Sequence, residues 1–282
     1  MTLTVFLAVL GAALLHAVWN ALVKGGRDKT VAMAAVVVGQ MLCGCVVLPF
    51  VPTPSFESLP YLACGVALHL GYQFFLLSSY RLGDLTQVYP IARGSAPLLV
   101  AAVSVILLQQ ELKQIEVLAI MVISIAIASL AIVRHGDGQR NPKAALLALC
   151  TGCFIAGYSL VDGLGARVAG TALGFYAWAV IGNAIVFVLV VGFKSPDVLR
   201  RLPTEAAMLT LIGGGASFIA YSLVMWAFTK APIPLVTALR ETSIIFALVI
   251  GVVFFKERAS LVKFLSIIGV LLGAALMRIG SG

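Results

Sequence analysis

Tyr89-Pro90-Ile91-Ala92-Arg93-Gly94-Ser95-Ala96 and Val236-Thr237-Ala238-Leu239-Arg240-Glu241-Thr242-Ser243 are two versions of one pattern. Each sets a single arginine inside a stretch of roughly 20 apolar residues, the length of a membrane-spanning helix. The two arginines stand 147 positions apart. Beyond each, the chain runs apolar to a glutamate, Glu111 or Glu257, and enters another apolar stretch. One single-residue gap brings the two copies into register. A weaker match sets Ala17, Trp19 and Asn20 opposite Ala156, Tyr158 and Ser159. The repeat divides the chain into two units, 1–138 and 139–282.

Composition says what solvent surrounds these units. Hydrophobic residues make up 61% and charged residues 11%, where a soluble chain carries about 25% charged. So few charges cannot cover a water-facing surface. Lipid can be the outer solvent, provided every backbone group is satisfied within helices or a closed barrel. The apolar stretches do not alternate, so they read as helices. The expected spans are Leu3–Val23, Thr30–Val51, Leu59–Tyr80, Leu85–Leu108, Ile115–Val133, Ala144–Leu164, Thr171–Phe193, Ala206–Phe228, Pro232–Phe255 and Ser260–Ile279. They leave no room for a soluble domain. The first lacks a basic n-region and holds His16, Trp19 and Asn20, so it reads as a span rather than a signal peptide.

The formal charge of +8 does not mark a nucleic-acid binder, because the positive residues sit in short loops. With Lys263 counted alongside loop nine, odd loops carry 13 Lys and Arg and even loops 3. The excess of positive charge on the cytoplasmic side then puts odd loops in the cytoplasm and both termini outside. In the first half the first and third loops hold 4 positives against 1 for the second and fourth; in the second half the corresponding numbers are 2 and 6. This reversal is expected of five-span halves inserted oppositely. The expected fold is therefore an all-α polytopic membrane protein of ten transmembrane helices in two inverted five-helix repeats, a design found among secondary transporters.

Ionisable groups deep in a membrane are costly and face the bundle interior. Arg93 and Arg240 lie roughly 12–14 Å inside their helix starts, near the bilayer middle. Entering from opposite faces, they should meet near the pseudo-twofold axis and hold an anionic group, a carboxylate or phosphonate. The competing reading has them bond backbone carbonyls or Glu241 and merely hold helices together. Glu241 could be a counter-ion, a recogniser of ammonium or a proton-coupling group. Pro90 and Pro97 flank Arg93 and are expected to bend helix four at a binding site.

Helix one presents His16, Asn20 and Lys24 at a spacing that shares one face, with Trp19 beside them. Further polar groups are His69, Tyr72, Gln73 and Tyr80 in helix three, Tyr158, Ser159 and Asp162 in helix six, and Tyr221, Ser222 and Trp226 in helix eight. The candidate substrate-binding set is Arg93, Arg240, Glu241, His16, Asn20, Trp19, Tyr89, Tyr158 and Gln73. Gly269 and Gly273 make a GxxxG that serves helix packing within the bundle or, alternatively, a homodimer contact. The five cysteines lie in apolar stretches. Cys150 and Cys153 lack the second pair a zinc site needs, so neither metal nor cofactor is expected. Nucleotide-binding, metalloprotease and serine-hydrolase motifs are absent, and no enzymatic activity is expected.

The motifs His16-Ala17-Val18-Trp19-Asn20, Tyr89-Pro90-Ile91-Ala92-Arg93-Gly94, Val161-Asp162-Gly163-Leu164-Gly165 and Leu239-Arg240-Glu241-Thr242-Ser243, with Glu111 and Glu257 at helix ends, resemble the drug/metabolite transporter superfamily, EamA type. The resemblance covers essentially the whole chain. It implies a bacterial inner-membrane protein that works by alternating access around a central cavity, often in export. The substrates it implies are amino acids, nucleobases or other small metabolites, so the expected partners are a small-molecule substrate and the lipid bilayer. One departure is that loop two, Pro52–Ser58, has no Lys or Arg, where many members are basic. Two other functions fit the same residues. One is proton-coupled efflux of organic cations through Glu241. The other is a non-transporting membrane subunit or scaffold whose buried charges serve assembly.

Overall fold

A computed structural model describes residues 1–25, 28–82, 85–132, 141–254, 256 and 260–280. Glu257, the side chain of Lys24 and the junction between residues 138 and 139 lie outside the described residues. Helices build the first five spans: α1 Leu3–Gly25, α2 Lys29–Val47, α3 Leu59–Leu82, α4 Leu85–Ile106 and α5 Gln114–Ala128. The next two spans are α6 Pro142–Val168 and α7 Ala172–Lys194, followed by the short α8 Pro196–Glu205. Span eight is a π-helical turn, Leu209–Gly213, running into α9 Gly214–Phe228. Span nine is two helices, α10 Ile233–Arg240 and α11 Ser243–Val253, and span ten is α12 Leu261–Gly280. Ten segments are long and apolar enough to cross a membrane. Each helix satisfies its own backbone, which is the condition that lipid imposes.

Polar side chains start several helices. Asp28 caps α2 by accepting from the amides of Thr30 (2.9 Å) and Val31 (3.3 Å). Asn141 caps α6 by accepting from Lys143 (3.0 Å) and Ala144 (3.3 Å), with Pro142 in the first turn. Side chains are distributed inside out relative to a soluble protein. Leu7, Ile125, Leu189 and Leu272 face outward, while Arg93, Arg240, Glu241 and Asp162 are buried.

The packing pairs map onto one another when span n is exchanged with span n+5. α3 against α6 answers α1 against α9, and α4 against α6 answers α1 against α10 and α11. α3 against α7 answers α2 against α9, while α5–α12, α2–α7 and α4–α10 are their own images. This is the neighbour pattern that a two-fold relation between the halves would give.

Contacts between loops sort the connections by face. Arg201 of loop seven bonds Asp28 of loop one at 2.9 Å, and Asn141 of loop five donates to the carbonyl of Leu82 at 2.7 Å. On the other face Ser55 of loop two donates to the carbonyl of Val168 at 3.0 Å, and Lys113 of loop four reaches the carbonyl of Gly280 at 2.8 Å. Among the described residues, loop seven thus meets loop one and loop five meets the end of α3, while loop two meets the end of α6 and loop four meets the C-terminal end of α12.

α4 runs as continuous helix through Pro90 and Pro97, and span nine is interrupted. No proline breaks that span. Instead Thr242 bonds the carbonyl of Leu239 (2.8 Å) and the backbone tightens into three-residue turns, Glu241 to Ala238 and Thr242 to Leu239. The connection Lys194–Glu205 holds the short helix α8. Of the two readings of Gly269 and Gly273, packing within the bundle is the one seen: α5 fills their face. A Cβ on Gly273 would lie 2.4 Å from Ile123, and one on Gly269 would lie 2.6 Å from Ala126.

The closest backbone approach is between α2 and span eight. A Cβ on Gly39 would sit 1.9 Å from the carbonyl oxygen of Thr210, and one on Gly214 would sit 2.5 Å from the Cα of Gly39. Only glycine fits at either position. Gly39→Ala and Gly214→Ala should therefore each cost at least about 1–3 kcal/mol. Gly11→Ala, with nothing within 4 Å, should be neutral. Thermal unfolding of the detergent-solubilised chain measures all three.

Asp28 links stability to pH. Partial burial opposes its charge, but the amides of Val31 and Thr30 and the Arg201 guanidinium outweigh that and hold the carboxyl below its ordinary value. A carboxyl depressed in the folded state stabilises above its unfolded pKa and loses that contribution as pH falls through the folded value. Asp28→Asn should keep the cap and flatten this acid dependence. Asp28→Ala should cost about 1 kcal/mol more through the lost cap. Melting temperatures at neutral and acid pH separate the two effects.

Candidate functional site

The break in span nine carries the most concentrated charge in the interior. Arg240 closes α10 and Ser243 opens α11, and Glu241 is turned inward between them. Arg93 of α4 meets this break from the other half. Its Nε lies 3.0 Å from Glu241 Oε2, and its Nη2 donates to Ser243 Oγ at 3.0 Å. Arg240 Nε lies 3.8 Å from Glu241 Oε1. The three residues are 5%, 2% and 0% exposed for Arg93, Arg240 and Glu241. The guanidinium of Arg240 also sits at the C-terminal end of α10, where the helix dipole favours a cation.

The charges do not balance locally. Two guanidinium groups share one carboxylate. Although the Arg93–Glu241 distance is that of an ion pair, Arg93 Nε is not aligned for a hydrogen bond, and neither oxygen of Glu241 receives one. Arg240 Nε and Nη2 likewise have no hydrogen-bond partner. A buried charge without matched hydrogen bonds is costly. The cluster is thus open to an acceptor that presents two oxygens to a planar donor fork.

Aromatic rings surround the guanidinium groups. Arg93 Cζ lies 5.5 Å from the ring of Tyr89, and Arg240 Cζ lies 6.0 Å from Tyr158 and 5.9 Å from Tyr221. Such faces attract a cation with little water present. A second polar pair lies behind Tyr158. His69 Nε2 is 2.8 Å from Asp162 Oδ2, which also accepts from the Tyr221 hydroxyl at 2.7 Å. The imidazole stacks on Tyr158 with centroids 4.1 Å apart. Farther out, Gln40 donates to the hydroxyls of Tyr176 (3.2 Å) and Ser217 (2.9 Å), and Tyr176 tilts on Tyr221 at 5.0 Å.

His16, Tyr72 and Tyr80 are each half-buried. A separate apolar cavity of ≈ 530 Å³ lies between α2, α7 and α9, lined by Phe218, Ile219 and Trp226 among others. It does not touch the arginines. Phe218 stacks on Tyr176, and Tyr176 on Tyr221, so aromatic rings stand between the two.

Arg93, Arg240, Glu241, Tyr89 and Tyr158 come together in one cluster. The helix-one residues bond mainly to one another: Trp19 Nε1 donates to His16 Nδ1 (3.2 Å), and Asn20 Nδ2 to the carbonyl of His16 (2.8 Å). Gln73 is buried with Oε1 unpartnered. The candidate set omitted Asp162, Tyr221, His69 and Ser243. A carboxylate alone in an apolar span was the available signal for Asp162. Tyr221 and Ser243 gave none, because only the fold sets them against charged partners.

Residues 142–279 match the EamA-like transporter family. A protein whose solved structure is described only as "Crystal structure of protein" superposes with a TM-score of 0.78 at 19% identity, over 99% of this chain and 98% of the other. That likeness is one of fold and extends across both halves. No curated protein matches in sequence.

Among the described residues Glu241 is the one carboxylate in ion-pair range of the two arginines, so Glu241→Gln should destabilise by about 3–5 kcal/mol. Arg240→Gln removes an incompletely paired charge and should cost less than Arg93→Gln, which also breaks the bond to Ser243. The order of the three melting temperatures checks the assignment.

Proposed function

We propose that this chain, an EamA-type multi-pass membrane transporter, is a secondary transporter of a small anionic or zwitterionic metabolite such as an amino acid. It works by alternating access of two inverted five-helix halves, in a bacterial inner membrane. What carries the reading is the excess of buried positive charge: Arg93 and Arg240 share one carboxylate, and two nitrogens of Arg240 have no partner. A substrate carboxylate or phosphonate would supply the missing acceptors and neutralise the excess. For a zwitterion, the faces of Tyr89 and Tyr158 are the groups suited to the ammonium end. His16, Trp19, Asn20 and Gln73 would border the same space.

Span nine is the element suited to alternation. A helix interrupted by tight turns at mid-membrane can change its angle at one point without unwinding elsewhere. Both guanidinium groups attach across that point, Arg93 from the first half and Arg240 from the second. Organic-cation efflux through Glu241 is less well supported, because both of its oxygens already lie beside guanidinium groups.

A thermal-shift screen of the purified chain against a metabolite library tests the reading. Carboxylates or phosphonates should raise the melting temperature, by about 2.7 kcal/mol of stabilisation at a hundredfold excess over Kd. Arg93→Lys and Arg240→Lys should abolish the shift, since lysine keeps the charge but loses the planar fork. In proteoliposomes the same variants should lose flux of the stabilising compound. Stabilisation by organic cations alone, unchanged in the arginine variants and lost in Glu241→Gln, would refute it.

A further inference from the structure

Glu241 is not the only buried carboxylate in the polar interior. Asp162 is 1% exposed, yet its Oδ2 lies against two proton-bearing groups, His69 Nε2 at 2.8 Å and the Tyr221 hydroxyl at 2.7 Å. Its other oxygen, Oδ1, is buried with no hydrogen-bond partner. That oxygen points at Gly65 of α3, where a Cβ would come within 2.7 Å. The carboxylate is thus held from three helices, α3, α6 and α9. His69 is the accessible member, its side chain 20% exposed against 2% for Asp162. Its Nδ1 makes no hydrogen bond among the described residues.

The surroundings contain titratable and charged groups on every side. Tyr72 of α3, Tyr158 of α6, Tyr176 of α7 and Tyr221 of α9 are phenols, neutral at physiological pH. Arg240 of α10 lies beyond the rings of Tyr158 and Tyr221. Arg93 and Tyr89 of α4, together with Glu241, lie on the far side of Arg240's cluster. Histidine is the one side chain here whose ordinary pKa lies inside the physiological range, and it rests against a carboxylate able to hold an imidazolium.

We propose that His69 and Asp162 form a proton-binding site, the seat of this transporter's coupling ion. A proton taken up at His69 Nδ1 converts the imidazole to imidazolium, which donates through Nε2 to Asp162; release returns the neutral ring. No other bond changes. Calling this proton the coupling ion rests on the transporter reading above. The new positive charge arises one aromatic ring from Arg240, so it favours an anion at the arginine cluster. By linkage, a bound anion favours the proton equally. The proton is not held at Glu241, whose negative charge is already shared by two guanidinium groups.

Infrared difference spectroscopy of the full chain in lipid nanodiscs reads the site with the proton as the only ligand. Acidification from about pH 8 to about pH 5 should produce an imidazolium signal. The chain has three histidines. The signal should persist in the His16→Gln/His135→Gln chain, where His69 alone remains, and vanish when His69→Gln is added to it. In that same background Asp162→Asn keeps the shape but removes the charge that holds the imidazolium, and should suppress the signal. Tyr221→Phe should retain it, and shows that a lost hydrogen bond alone is not enough. A full signal in Asp162→Asn, or none in the chain where only His69 remains, overturns the proposal. Compounds that stabilise the protein in the metabolite screen should bind more weakly as pH rises, and Asp162→Asn should remove that dependence; an unchanged dependence sinks the coupling role. Because the infrared measurement uses no solute, a blank metabolite screen would count against the anion site and leave the proton site standing.

Discussion

A single carboxylate shared by two guanidinium groups, far from bulk water, is the constraint around which this bundle is arranged. In lipid, the hydrophobic effect does not distinguish one apolar helix face from another, so packing and internal polar contacts decide which faces turn inward. Glu241 meets arginines from both halves of the chain. To bring its side chain to Arg93, span nine gives up regular helix between Arg240 and Ser243. Thr242 bonds the Leu239 carbonyl at this break, and Ser243 accepts from Arg93 across it. The charged centre therefore dictates a backbone irregularity as well as a set of contacts.

Around that centre the protein uses aromatic rings as a dielectric wall. Tyr89, Tyr158 and Tyr221 lie against the guanidinium groups, and Tyr158 and Tyr221 also cover the His69–Asp162 pair. A phenol offers a polarisable face on one side and a hydroxyl on the other, so one residue can serve both clusters without adding charge. Small residues do the complementary work where helices cross. Gly39 and Gly214 let backbones touch, and Gly269 and Gly273 seat α12 on α5. The outer surface needs little beyond apolar side chains.

Much of this was legible in the amino-acid order. All ten spans lie within a few residues of their expected bounds, because about 20 apolar residues between polar loops have one stable arrangement in lipid. Arg93 and Arg240 stood out because charge is rare in such stretches. Other features were hidden. Pro90 and Pro97 drew attention to helix four, but the interruption lies in span nine; α4 continues through both, since a proline removes one donor and neighbouring helices can hold the rest in place. Nothing in Leu239-Arg240-Glu241-Thr242-Ser243 marks a break by propensity. Asp162 was visible as a buried acid, but its partners come from α3 and α9, residues 93 and 59 positions away.

Sequence alone thus determined the solvent, the number of spans and the identity of the costly buried charges. Each of these follows from local composition and from the energy of placing a residue in hydrocarbon. Tertiary structure alone decided which charge meets which, where span nine breaks, and which face of α12 is covered. Those outcomes depend on distances between side chains far apart along the chain, and apolar spans of similar composition carry no local signal of which neighbour each will pack against.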